Sequence, residues 1–329
     1  MKPVSFGVLG VSGFFMKKIG IPTAKSPLIQ WNGIASRSLE RAQQAADDYA
    51  ITQAYGSYED LLADDAIEAV YIPLPNHMHA EWIRKAADAG KHVLCEKPIA
   101  LTAREAQESI DYAEAKGVKV MEAFMYRFHA QWQHALELIR MREIGSVQLV
   151  QTFFGFNNTD PTNIRNRADA GGGALYDIGC YAVSVSRFLL QSEPQRVVSL
   201  LMHHADFQTD ILSSALLDFG GARAEFTVAT QTFPYQRVNV HGSGGVISIE
   251  IPFNTPADVP VKVTVTNSVG TRDVMVGPED QYITEFENFA RAIREDTPVP
   301  TPAVDAVHNM RVLDALRESE RSQQWVKLS

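Results

Sequence analysis

The chain has 329 residues, and at roughly 150 residues per domain that length suggests two domains. A formal net charge of -9, with 21% charged and 45% hydrophobic residues, excludes a general nucleic-acid binder and excludes disorder over the bulk of the chain. No apolar run reaches the roughly 18 residues of a membrane span, and two cysteines, Cys95 and Cys180, can build neither a disulfide framework nor a four-cysteine zinc site.

Met1-Lys2-Pro3-Val4 leads directly into an apolar run, with no charged region, apolar core and cleavage site before it. No leader is therefore expected, and the expected location is the cytoplasm. Strands are expected at 5–10, 29–36, 69–73, 92–95 and 118–122. Helices are expected between them. One spans 14–24, and one starts after the cap Ser38 and runs to Tyr49. Ser57 with Asp60 and Thr102 with Glu105 have capping-box spacing, and Asn76 is an expected N-cap for a helix ending before Gly90. This alternation predicts a parallel sheet covered by helices, a Rossmann-type α/β fold.

Beyond residue 123 the pattern changes. Helices are expected at 127–142 and 175–190, with a strand at 148–156. Extended runs follow at 197–202, 211–219, 222–230, 238–241, 246–251 and 261–266. Short connections, such as Gly220-Gly221 and Gly242-Ser243-Gly244-Gly245, imply antiparallel pairing. Two closing helices are expected at 280–295 and 303–320, and they could pack back on the first domain. The expected division is therefore 1–123 for a nucleotide domain and 124–329 for a substrate and oligomerisation domain.

Gly10, Ser12, Gly13, Phe14 and Phe15 lie where a dinucleotide fold places its phosphate turn, between the first strand and the first helix. Small residues let the backbone approach a pyrophosphate, and free helix N–H groups receive it. The fit to GxGxxG is partial, because Ser12 and Phe15 replace the second and third glycines; a tight turn needing only Gly10 is the alternative. The second strand ends in Ser36-Arg37, where NAD sites carry an acid. A hydroxyl and a guanidinium favour a 2′-phosphate, so NADP is expected over NAD, the alternative being a solvated arginine. Pro73, Leu74, Asn76 and His77 would flank the dinucleotide at the third strand's edge. His77 and His79 diverge on a helix and lack HExxH spacing, so no metal is expected there.

Two later segments carry chemistry. Cys95-Glu96-Lys97-Pro98 ends a buried strand with a charged pair: Glu96 could accept hydrogen bonds from backbone or ribose, and Lys97 would enter the crevice unless it is a surface lysine. Pro98 permits a cis peptide. Gly171-Gly172-Gly173 precedes a helix bearing Asp177 and Tyr181 on one face. The glycines suit either a second phosphate loop or close backbone approach, and the acid and phenol suit either a site or a structural pair. The cysteines read as small buried side chains.

These segments, with Met121-Glu122-Ala123-Phe124-Met125-Tyr126-Arg127 between them, occur in one family's order, and over nearly its whole length the chain resembles the glucose–fructose oxidoreductase / inositol dehydrogenase / MocA-like family. It is most similar to the branch holding NADP-dependent xylose dehydrogenases and dimeric dihydrodiol dehydrogenases. The resemblance implies a C-terminal domain with a large, open, mainly antiparallel sheet. It also implies that Lys97 is the central catalytic lysine, Tyr181 the acid/base and Asp177 the substrate-orienting carboxylate. Asn163-Ile164-Arg165 matches a segment near the substrate or nicotinamide, which makes Arg165 a candidate cofactor residue.

The expected activity is hydride transfer between a sugar carbon, an aldose C1 such as that of D-xylose or D-glucose, and nicotinamide. A tyrosine with a pKa of about 10 is a poor base, and a neighbouring ammonium lowers it by roughly 1–3 units. Lys97 would supply that ammonium to Tyr181. The alternatives are a trans-dihydrodiol dehydrogenase or carbonyl reductase, and a non-catalytic NADP-binding regulator. An uncovered antiparallel sheet would expose apolar residues, so a homodimer or homotetramer through the C-terminal sheet is expected, with no nucleic-acid or membrane partner.

Overall fold

The computed structural model describes residues 1–328, which form two compact units: Met1–Met125 with Tyr282–Val307, and Tyr126–Gln281 with the chain from His308 onward. The first unit is built on β1 (Val4–Leu9), β2 (Ile29–Ala35), β3 (Gln53–Tyr55), β4 (Ala69–Ile72), β5 (His92–Glu96) and β6 (Val120–Ala123). Their order is β3-β2-β1-β4-β5-β6, and every pairing is parallel. That order is the one dinucleotide folds use, and it reverses between β1 and β4, which leaves a crevice at their carboxyl ends. Strands β1, β4 and β6 are buried along their whole length, as helix-covered parallel strands must be.

The local capping expectations hold. The side chains of Ser38, Ser57 and Thr102 accept from the backbone N–H groups of Arg41, Asp60 and Glu105. Asn76 differs: it opens a single 3₁₀ turn, Asn76–Met78, and the helix proper is His79–Asp88. The helix expected at 14–24 is a π-helical turn, Phe15–Gly20, continued by Ile21–Thr23. Strand β3 was not expected; it is three residues long and too short to show a period.

The helix Gln281–Arg294 belongs with the first unit from Tyr282 onward. Its Phe286 packs against Phe6, Trp31 and Tyr71 at ring-centroid distances of 5.6, 5.5 and 5.3 Å. All four rings lie in the core of that unit. The first junction between the units is Met125/Tyr126, and the second unit is not one continuous stretch to the C-terminus. The helix Ala303–Ser322 contributes its first turn to the first unit and the remainder to the second.

The second unit holds β7 (Val147–Asn157), β8 (Arg196–His203), β9 (Asp210–Asp218), β10 (Arg223–Ala229), β11 (Gln231–Gly242), β12 (Gly245–Ile249), β13 (Val261–Asn267), β14 (Gly270–Val276) and β15 (Val326–Lys327). They form one sheet in the order β14-β13-β12-β11-β7-β10-β9-β8-β15. The pairings are antiparallel with one exception, β7 with β10, which is parallel. The long connection between those two strands supplies the crossover that a parallel pair requires. Strand β11 is far longer than the expected 238–241 and shifts register between Gln231 and Tyr235, where Pro234 has no N–H for the ladder. One sheet face buries Val150, Phe154, Phe226, Val228, Val238 and Val240. On β8, β9 and β11, Leu200, Met202, Leu216, Phe233 and Tyr235 are exposed.

Candidate active site

The carboxyl end of β1 carries Gly10, whose φ of +116° requires glycine. A Cβ there would lie 3.1 Å from the Leu74 side chain, at the end of β4. Ser12 Oγ accepts from the Phe15 N–H at 3.0 Å, and a Cβ on the exposed Gly13 would meet nothing within 4 Å. The turn is thus open on its outer side and backed by a helix N-terminus, which fits a dinucleotide pyrophosphate. Phe15, in the third-glycine position, is buried with its ring centroid 4.9 Å from Trp31. It fills the helix–sheet gap that a glycine would close. Phe14 is exposed, edge-on to Tyr282 at 5.9 Å.

At the end of β2, Ser36 is buried, its Oγ accepting from the Ser38 N–H at 3.3 Å, while Arg37 is exposed. The charges of Arg37 and Arg41 both act on the Tyr58 hydroxyl, which burial pushes above its ordinary value. Arg41 is therefore a second cation at this end, one that sequence reasoning missed although it is the first-turn residue capped by Ser38.

The β4 edge places Pro73, Leu74, Asn76 and His77 in sequence, with Leu74 buried and His77 exposed. His79 is fully buried. Its Nδ1 lies 2.8 Å from the Pro98 carbonyl oxygen and its Nε2 2.8 Å from that of Leu74. Burial pulls it down to about 4. At the β5 edge the Lys97–Pro98 peptide is cis, and Glu96 and Lys97 are half-buried. The Tyr71 hydroxyl donates to Glu96 Oε1 at 2.6 Å. Glu285, on Gln281–Arg294, is buried, and its Oε1 has no hydrogen-bond partner. Burial and then the nearby charge of Glu96 push its carboxyl well above the usual range.

In the second unit the three-glycine turn is packed closed. A Cβ on Gly172 would overlap the carbonyl oxygen of Arg165 and lie 2.7 Å from that of Ile164. A Cβ on Gly173, at φ +116°, would overlap Asp210 Oδ1. Asp210, on β9, accepts at Oδ2 from the Leu175 N–H and the Ser213 hydroxyl, both at 2.6 Å. The chain's own carboxylate therefore occupies the helix start where a phosphate would sit, so close approach, not a second phosphate loop, explains the glycines. The following helix begins as a π-helical turn, Leu175–Gly179, and continues as Cys180–Leu190. The Arg165 Nε–H donates to Asp177 Oδ2 at 2.7 Å, so the expected cofactor residue and the expected substrate carboxylate are partners. Tyr181, four residues beyond Asp177, is buried, its ring 5.1 Å from Phe253 and 5.9 Å from both Tyr126 and Phe154. These rings fix the orientation of the phenol. Cys95 and Cys180 are buried and form no disulfide.

The parallel sheet in dinucleotide order, with an open turn at its switch point, defines a dinucleotide-binding fold. Comparison with known proteins narrows this class. Residues 4–124 match the oxidoreductase family with an NAD-binding Rossmann fold, and residues 132–248 match the GFO/IDH/MocA C-terminal domain. The chain belongs to the GFO/IDH/MocA oxidoreductase family. It is 40% identical to a D-xylose 1-dehydrogenase (NADP⁺) of Haloferax volcanii, over 98% of this chain and 99% of that one. It is 38% identical to an uncharacterised oxidoreductase, ORF334, of Rhizobium meliloti, over 99% of each. Among solved structures it resembles KijD10, a 3-ketoreductase from Actinomadura kijaniata solved with NADP and TDP-benzene. That match has a TM-score of 0.92 at 28% identity, covering 96% of this chain and 98% of that one. Among the described residues no helix is long and apolar enough to cross a membrane.

Proposed function

We propose that this protein is an NADP-dependent oxidoreductase that moves a hydride between C1 of an aldose and nicotinamide, with the lactone as the oxidised product. The observation that carries the cofactor choice is the β2 edge: buried Ser36 and exposed Arg37 stand where an NAD site carries an acid, with exposed Arg41 one turn on. The full-length similarity to an NADP⁺-dependent D-xylose dehydrogenase favours the substrate class.

Bound NADP⁺ supplies the hydride acceptor, nicotinamide C4. Gly10, Ser12 and Gly13 are the proposed pyrophosphate turn, with Phe14, Phe15, Pro73, Leu74, Asn76, His77 and Glu96 as its walls. Oxidation removes a hydride from C1 and a proton from its hydroxyl. Tyr181 and Lys97 are the proposed acceptors of that proton, the ammonium favouring the phenolate. Asp177 is proposed to accept a hydrogen bond from a sugar hydroxyl, with Arg165 holding its second oxygen. The deciding assay is absorbance at 340 nm with NADP⁺ or NAD⁺ and a panel of aldoses, polyols and trans-diols. Aldose turnover that favours NADP⁺ supports the reading. Turnover of trans-diols alone moves the protein to the dihydrodiol branch, and a flat panel with tight NADPH binding moves it to a non-catalytic regulator. Arg37→Ala should lower the NADP⁺ preference at least tenfold, and an unchanged cofactor ratio would refute the assignment.

We also propose a homodimer or homotetramer through the sheet face carrying Leu200, Met202, Leu216, Phe233 and Tyr235, because water-exposed side chains of this size favour burial. Light scattering at micromolar concentration tests it, and a monomer mass overturns it. A cytoplasmic location remains part of the proposal.

A further inference from the structure

The peptide group that follows Lys97-Pro98 is held at both of its polar ends. Its carbonyl, on Pro98, faces His79 Nδ1 at 2.8 Å, and its N–H, on Ile99, donates to Glu122 Oε1 at 2.8 Å. All of the participants are buried: His79, Pro98, Ile99 and Glu122. The other ring nitrogen of His79 faces the Leu74 carbonyl, again at 2.8 Å, so one imidazole spans the β4 loop and the β5 loop. Carbonyl oxygens only accept, so the neutral imidazole, which carries one N–H, donates to one of the two carbonyls and rests its other nitrogen against the second. Burial and the charges of Lys97 and His77 disfavour a proton on this ring, whereas the two carbonyls favour it.

We infer that His79 and Glu122 are positioning residues: together they clamp the Pro98–Ile99 peptide and thereby set where the ammonium of Lys97 is presented. Neither residue is assigned a part in proton or hydride transfer. A lysine side chain has four rotatable bonds, and its aim depends on the backbone from which it starts. Fixing the next peptide plane removes one source of that freedom, and the fixed groups belong to β6 (Glu122) and to the helix His79–Asp88. Buried polar networks of this kind act as a unit, because loss of one partner leaves the others unsatisfied. The inference rests on the proposed role of Lys97.

The test is His79→Phe, which keeps a flat ring and removes both ring nitrogens. The expected result is a kcat at least tenfold lower, with NADPH affinity by fluorescence titration within about fivefold of wild type and a displaced inflection in the pH–rate profile. A second readout uses the cofactor-free protein. The rate at which an amine-reactive acylating reagent labels Lys97, followed by mass spectrometry against pH, should change at least threefold. A folded His79→Phe protein with wild-type kcat, pH profile and labelling overturns the inference. Should that variant fail to fold, Glu122→Leu frees the other end of the same peptide and must lower kcat and shift the profile alike; wild-type behaviour there is equally fatal. Lys97→Met separates the two claims. Normal turnover in that variant refutes the role of Lys97, whereas an inactive Lys97→Met beside a normal His79→Phe refutes only the clamp.

Discussion

Two glycine-bearing turns in this molecule lead into π-helical segments, and they do opposite things. In the first unit the turn before Phe15–Gly20 leaves its outer side open: Gly13 faces no protein atom, and the nearest N–H is capped by the small Ser12 hydroxyl. In the second unit the turn before Leu175–Gly179 is filled by its own chain, by the carbonyls of Ile164 and Arg165 and by the Asp210 carboxylate. A glycine motif alone therefore does not mark a ligand site. What a Cβ would meet at each position does, and that contrast can be broken by substitution.

The largest effect should come from Gly172→Ala. The added carbon meets backbone on the 164–165 turn, which cannot yield as the end of a side chain can. A loss of about 4 kcal/mol or more, or no soluble protein, is expected by thermal or denaturant unfolding. A variant of wild-type stability would show that the second turn is as open as the first. Asp210→Ala comes next. It strands the Leu175 N–H and the Ser213 hydroxyl in a buried site, at a cost of about 3 kcal/mol. A loss below 1 kcal/mol in chemical denaturation would mean that solvent or another group replaces the carboxylate.

How much of this was legible in the sequence divides by distance along the chain. Strands β4 and β5 showed as continuous apolar runs, and the caps at Ser38, Ser57 and Thr102 are satisfied by N–H groups three residues on, so local pattern was enough. The Asp177 and Tyr181 pairing on one helix was legible for the same reason. The partners of His79 lie 5 and 19 residues away, and Asp210 lies 35 residues beyond Leu175. No spacing rule joins such groups. The aromatic side of Gln281–Arg294 was readable as an apolar face, but that the face packs against Phe6, Trp31 and Tyr71 was not.

Glu285 extends the comparison to buried carboxyls. Asp210 has two donors that pull its raised pKa back down, whereas Glu285 has an unpartnered oxygen and the charge of Glu96 nearby. Its folded-state pKa lies above the unfolded value, so the native protein keeps a proton that the unfolded chain releases above about pH 4.3. Stability must then fall as pH rises from about 4.3 toward the folded pKa, by at most about 1.4 kcal/mol per unit. Glu285→Gln removes that penalty. It should be more stable than wild type at pH 7, no different at pH 4, and flatten the stability profile between them. Destabilisation at pH 7 would mean that the ionised form is the native one.

The smallest expected effect is the most discriminating. At Gly13→Ala the added carbon has no protein neighbour and the residue is not in the left-handed region, so folding should be unchanged or improved by a few tenths of a kcal/mol. If the open side of that turn receives a pyrophosphate, the same carbon stands in the ligand's way. NADPH affinity should then fall about tenfold, equivalent to about 1.4 kcal/mol. Isothermal titration beside a melting curve reads both quantities on one sample. Unchanged affinity with unchanged stability would mean that the space at Gly13 belongs to neither protein nor cofactor. Loss of both would mean that the turn is as tightly packed as the one at Gly172. Only the split, stability kept and affinity lost, makes the first turn a binding surface and the second a structural joint.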